Sequence, residues 1–199
     1  MRKSLASSCW PLALLLPLCA CVANYRGVAD GETTVADGRM TVDPGNSWVR
    51  LPVVERQTRW EEVWTWNGPQ LDRVTLIGGL PDGKAVVFQE RNSTQQVPPF
   101  RADMTGLDLM SMVEISYRIR GVTMFTFESV EPIEFLSGSG VSLHYDYVSG
   151  IGIAKKGRCV MRMVDGRLYA LRLEALTGDT FDAVAPEFER LVSSAKLRP

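Results

Sequence analysis

Arg158-Cys159-Val160-Met161-Arg162-Met163-Val164, then Asp165-Gly166, then Arg167-Leu168-Tyr169-Ala170-Leu171-Arg172-Leu173-Glu174 is the strongest hairpin signal in the chain. Asp-Gly between two apolar runs supplies the two positive-φ residues that a tight antiparallel turn needs. Alternation places Cys159, Met161 and Met163 on one face of the first strand and Arg158 and Arg162 on the other. The apolar face is predicted to lie beneath a final helix from about Thr180 to Lys196. Phe181, Val184, Phe188, Leu191 and Ala195 form the stripe of that helix. Asp182 early and Arg190 and Lys196 late suit its dipole, and Pro186 is expected to kink or restart it.

Upstream, the same punctuation recurs. Arg59 to Asn67 alternates, with Trp60, Glu62, Trp64 and Trp66 on one side; Asn67-Gly68-Pro69 and Pro81-Asp82-Gly83 then bound a partner strand beginning at Leu71. Thr105-Gly106-Leu107-Asp108 fits a capping box, followed by Leu107, Met110, Val113 and Tyr117 at helical spacing and by Gly121 as the stop. Strand signals resume from Val122 to Val130 and from Val141 to Val148. The predicted class is α+β: one antiparallel β-sheet covered on one side by a few helices, in a single domain over 38–199.

Leu168 to Leu173, followed by Phe181 and by Pro186-Glu187-Phe188-Glu189-Arg190-Leu191-Val192-Ser193-Ser194-Ala195, resembles the PsbP/DcrB-like group. Trp66 to Asp72 and Pro99 to Thr105 look like stretches of proteobacterial lipoproteins. The resemblance implies a central antiparallel sheet with helices packed on it. It also implies a non-catalytic accessory role, as in an extrinsic photosystem subunit or an envelope lipoprotein, and it carries over no catalytic residue.

The beginning of the chain reads as an address. Met1-Arg2-Lys3, an apolar run over 11–18 and Cys19-Ala20-Cys21 have the three parts of a secretory signal. The apolar run is shorter than the roughly 20 residues of a membrane span. Leu18-Cys19-Ala20-Cys21 resembles a bacterial lipobox, so 1–20 is expected to be removed as a lipoprotein signal peptide and Cys21 to be lipidated. Val22 after it suggests the outer membrane, with the domain facing the periplasm. Residues 21–37, polar and rich in Gly, are expected to be a flexible tether. Cleavage would leave 20 basic against 23 acidic residues, a charge of −3, so attachment would rest on the acyl chains. Of the 4 cysteines only Cys159 would then remain unmodified, and burial is its expected fate.

Over the whole chain, 22 Lys+Arg against 23 Asp+Glu give no basic excess of the kind that marks nucleic-acid binders. Ser142, His144 and Asp146 are the residue types of a hydrolytic triad, but positions i and i+4 on a strand stand about 13 Å apart. One His and one buried Cys cannot furnish a zinc set, and Glu128, Glu131 and Glu134 are interrupted by Pro132. Gly150-Ile151-Gly152-Ile153 lacks the third Gly of a dinucleotide loop and is expected to be a strand, with Lys155 to Arg158 as a basic turn. Asn92-Ser93-Thr94 has the form of a glycosylation sequon. The expected function is therefore a membrane-anchored, non-catalytic accessory or scaffold protein of the envelope, with an envelope protein partner and no cofactor, metal or nucleic acid. The alternative is binding of a small molecule or cell-wall glycan at a cleft lined by Trp60, Trp64 and Trp66, which would form a platform if they are exposed.

Overall fold

A computed structural model describes residues 25–45, 48–52, 58–85 and 97–198. The hairpin at its centre consists of β9 (Ala154–Val164) and β10 (Arg167–Leu176), with Val164 opposite Arg167 and positive φ at Asp165 and Gly166. Around it the chain builds an antiparallel sheet in the order β1-β4-β5-β6-β10-β9-β8-β7. The added strands are β1 (Arg26–Gly27), β4 (Val49–Arg50), β5 (Glu61–Thr65), β6 (Asp72–Pro81), β7 (Met124–Glu134) and β8 (Ser139–Val148). A smaller sheet, β11-β3-β2, joins β2 (Thr33–Val35), β3 (Met40–Val42) and β11 (Lys196–Leu197).

Two helices pack on this frame. In α1 (Gly106–Ile119) the Thr105 hydroxyl accepts from the Asp108 amide while the Asp108 carboxylate accepts from the Thr105 amide, the expected capping box. The end is closed by Gly121 and Val122 amides donating to the carbonyls of Arg118 and Tyr117. Its buried stripe is Leu109, Met112, Val113, Ser116 and Tyr117; Leu107 is 74% exposed, because the inward face starts one half-turn later than its spacing suggested. Helix α2 (Asp179–Ser194) runs on through Pro186, whose exposed position leaves the unmatched Asp182 carbonyl to water.

The helices lie on opposite faces of the sheet, not on one side. Val184, Phe188 and Leu191 of α2 share a core with Leu171, Leu173, Val74 and Leu76. Leu109, Met112 and Tyr117 of α1 share another with Ala170, Cys159, Met161, Leu143 and Tyr145. Since neighbours along β10 alternate between the two groups, the strand is covered twice. Cys159 and Met161 are buried as expected, but beneath α1. The opposite face points Arg158 at α2, where it pairs with Glu189.

Three further expectations change. From Arg26 onward the supposed tether belongs to the domain: β1 pairs with β4, β2 with β3, and Val35 is 1% exposed. Asp37-Gly38 lies in the hairpin turn between β2 and β3, whose strands are too short to show alternation. Lys155 to Arg158 lie within β9, while 149–153 form the loop before it. Residues 1–24 with Cys21, and the sequon at 92–94, lie outside the described residues.

Truncation distinguishes the two faces of β9. Met161→Ala should cost about 2–5 kcal/mol through lost burial and a cavity. Arg162 donates to the carbonyls of Phe135 and Leu136, so Arg162→Ala should cost about 1–3 kcal/mol rather than behave as a neutral surface change. Urea unfolding of both variants checks the contrast; a neutral Met161→Ala would contradict the register.

Candidate functional site

On β10, Arg172 and Glu174 stand two residues apart and so project to the same face, the one under the C-terminal end of α1. Both are almost completely buried. Arg120, which caps α1, brings Nη1 to 3.3 Å from Glu174 Oε1, and the Tyr147 hydroxyl of β8 donates to the same oxygen at 3.0 Å. Arg172 Nε lies 3.8 Å from Glu174 Oε2, while its Nη2 reaches the Thr75 hydroxyl of β6 at 3.4 Å. The Tyr117 and Tyr145 hydroxyls share a hydrogen bond of 2.8 Å. Gly157 makes this possible: a Cβ there would fall 2.1 Å from the Tyr145 ring.

Electrostatics settle the protonation states. Burial alone would raise the Glu174 carboxyl, but Arg120 and Arg172 overcome it and hold the group well below the usual carboxylate range. Burial pushes the Tyr117 and Tyr145 hydroxyls well above their ordinary value. A carboxylate fixed in this way is a counter-ion, and the tyrosines remain hydrogen-bond donors.

The network opens to solvent through a cleft of about 120 Å³ lined by Tyr117, Arg120, Val122, Tyr147, Ser149, Gly150 and Lys155. Lys155 is half-buried there, and burial lowers its pKa against the pull of Glu174. Beside the cleft, the 149–153 loop and the start of β7 expose Ile151 (83%), Met124 (65%) and Ile153 (40%). Thr123 N donates to Val148 O, which ties β7 to this loop. The result is a sheet edge with apolar tips flanking two cations, suited to association with another surface.

The residues singled out from sequence are placed differently. Trp64 is fully buried against Trp48, whose ring centroid lies 6.5 Å away, and Trp66 meets Trp48 edge-on at 5.5 Å. Trp60 precedes β5, in a turn where strand alternation no longer applies, and packs with the α1-side core. The three rings are thus divided between two faces and do not form a platform. Both faces of β5 are buried, Glu61, Val63 and Thr65 on one and Glu62 and Trp64 on the other.

Ser142 Oγ lies 3.3 Å from His144 Nε2 and accepts from Arg158 Nε at 3.2 Å. Asp146 sits apart from them beside Glu128. Burial and that neighbouring carboxylate raise the Asp146 pKa, while Lys156, 3.2 Å from Glu128, lowers that of Glu128. Burial pushes the Cys159 thiol up to about 12. Among the described residues no group of three metal-ligating side chains converges. What sequence reasoning missed was Arg172 with Glu174; its signal was two charges at alternate positions in a strand otherwise apolar on both faces.

The sequence matches no protein-family model and no curated protein. Its fold does have counterparts among solved structures. Cyanobacterial PsbP (CyanoP) from Synechocystis sp. superposes with a TM-score of 0.55 at 16% identity, over 92% of this chain and 99% of that one. The fold is PsbP-like. The Ran-binding protein Mog1p of Saccharomyces cerevisiae shares it, with a TM-score of 0.55 at 8% identity over 85% of this chain and 95% of that one. LpqN of Mycobacterium tuberculosis, involved in cell envelope biogenesis, gives a TM-score of 0.46 at 14% identity over 85% and 91%. At these identities the likeness concerns the fold alone.

Two measurements follow from the buried groups. Because the folded Glu174 pKa is depressed, its stabilisation is complete above the unfolded value near 4.5 and is lost as pH falls toward the folded value. Glu174→Gln should therefore cost about 3–5 kcal/mol at pH 7, and the gap to the parent chain should narrow below about pH 4.5 when unfolding is followed against pH. Cys159 should resist iodoacetamide in the native state and react in urea, as read by peptide-level mass spectrometry; fast native modification would contradict its burial.

Proposed function

We propose that this protein is a membrane-anchored accessory protein of the cell envelope, held by acyl chains on Cys21 and acting by association rather than catalysis. Outer-membrane placement, with the domain facing the periplasm, follows from Val22 after the lipidated cysteine. The observation that carries the associative part is the edge made by Met124, Ile151 and Ile153 around the Arg120–Lys155 cleft. The side chains best suited to chemistry are occupied elsewhere. Cys159 is buried with a raised pKa, and Glu174 is bound by two arginines and a tyrosine.

An envelope protein partner with an apolar patch beside carboxylates fits this edge, since apolar contact and cation pairing would be satisfied together. The PsbP-like architecture supports the reading because it supplies a rigid sheet with loops at both ends. Trp-based glycan binding receives no support from the positions of the rings.

Metabolic labelling with a palmitate analogue should mark the parent chain and not Cys21→Ala; label surviving in the variant would contradict the anchor. Affinity purification of the lipidated protein should recover a partner that Ile151→Asp loses by tenfold or more with unchanged melting temperature. Equal recovery by both chains would exclude this edge.

A further inference from the structure

At the other end of β9 from Lys155, a cleft of about 440 Å³ lies between the β9–β10 turn and the small sheet, lined by Arg39, Val164, Asp165, Arg167, Tyr169, Leu197 and Arg198. Three arginines line it, from three places in the chain. Arg39 precedes β3, Arg167 opens β10, and Arg198 follows β11. They are fixed relative to one another by backbone and side-chain bonds. The Arg198 amide donates to the Arg39 carbonyl at 2.9 Å, Arg198 Nη1 to the Thr34 hydroxyl at 3.2 Å, and Arg167 Nη1 to the Gly79 carbonyl at 3.1 Å.

Gly79 is the floor of this arrangement. It is the extra residue of a bulge, since Tyr169 pairs with Gly78 and Leu168 with Leu80. Its φ of +86° suits glycine, and a Cβ there would lie 2.9 Å from Arg39 Cδ and 3.1 Å from the Tyr169 hydroxyl. The bulge thus lets the Arg39 stem and the Tyr169 phenol close over the backbone. Tyr169 is only 6% exposed, and its hydroxyl, which keeps contact with solvent at the cleft, has no hydrogen-bond partner among the described residues. Nor is any of the three arginines in an ion pair among those residues. Among the described residues Asp165 is the one acid lining the cleft, so that lining carries a net charge of about +2, from the charge states at neutral pH.

Like charges gathered at one concavity repel, and the Tyr169 hydroxyl at its wall is a donor still open to a partner. A single anionic ligand answers both. Arginine forks match the oxygens of phosphate in geometry, and three of them around a phenol donor match a doubly charged group better than one carboxylate. The cleft also exceeds what a bare ion fills, and Val164, Leu197 and the Tyr169 ring supply apolar walls for an organic body. We infer that this cleft, built on Gly79, binds a phosphate monoester, with Arg39, Arg167 and Arg198 on the phosphate and the Tyr169 hydroxyl as a further donor.

The test is thermal unfolding of the full chain in a neutral detergent at fixed ionic strength, with four probes: glucose 6-phosphate, glycerol phosphate, inorganic phosphate and glucose. At 10 mM the two esters should raise the melting temperature by roughly 3 °C or more, the increase expected for a ligand well above its dissociation constant. Inorganic phosphate should give less and glucose nothing. The double variant Arg39→Ala, Arg198→Ala removes two exposed side chains; measured against its own ligand-free melting temperature, it should lose the ester shift. No shift in the parent, or an equal shift in the double variant, would overturn the site. An equal shift by inorganic phosphate would overturn the role given to the organic body. Which ester shifts more separates a glycerol-phosphate source, such as a lipid headgroup, from a phosphorylated sugar. This cleft is remote from the edge around Ile151, so either can fail without the other.

Discussion

Placing Arg172 and Glu174 on a strand that is covered on both faces is the constraint to which the rest of the molecule answers. Two charges withdrawn from water cost several kcal/mol each unless neighbours replace the solvent. Those neighbours come from separate elements: Arg120 from the cap of α1, Tyr147 from β8 and Thr75 from β6. Each must arrive in register. A slip of one residue in β10 would turn both charges onto the apolar face where Leu171, Leu173 and Phe188 pack, away from Arg120, Tyr147 and Thr75. The network therefore ties the placement of α1 and the alignment of β6, β8 and β10 to one pairing scheme. The leucines alone, tolerant of sliding, would specify that scheme less sharply.

This also explains why the helices divide between the faces. The α2 side of β10 is apolar and needs only a greasy stripe, which Val184, Phe188 and Leu191 provide. The α1 side mixes Ala170, Arg172 and Glu174, so its cover must bring polar groups as well as Leu109 and Met112. Tyr117 does both, with its ring packed among Phe125, Tyr145 and Tyr147 and its hydroxyl bonded to Tyr145.

Much of the fold was legible where local chemistry dictates local structure. Asp165-Gly166 fixes a hairpin and Thr105 with Asp108 fixes a helix start whatever the surroundings. Legibility ended where a residue's role depends on a distant element. Nothing near Trp64 announces that Trp48 will cover it, and nothing near Arg172 announces Arg120. The two-residue strand at Arg26 is too short for any period to show. The candidate surfaces were hidden for the same reason. Ile151 and Met124 are 27 residues apart in sequence, and Arg39 and Arg198 come from opposite ends of the domain.

The near balance of 22 basic and 23 acidic residues conceals how the charges are used. Acidic groups are drawn into the structure: Glu174 lies in the α1-side network, Asp72 accepts from the Trp66 and Asn67 amides at the turn before β6, Glu62 pairs with Arg50 and Glu189 with Arg158. Between Tyr147 and Val164 there are four cationic residues and no acid. Lys156 and Arg158 are paired with Glu128 and Glu189, whereas Lys155 near one end of β9 and Arg167 just past the other form no ion pair among the described residues. A whole-chain count speaks against a polyanion wrapping the surface, because that needs a continuous basic field. It has no bearing on a small anion, which responds to the potential inside one cleft, where low-dielectric walls strengthen a few fixed charges. Net charge and local charge therefore answer different questions, and in this fold the carboxylates bound inside the structure are what separates the two.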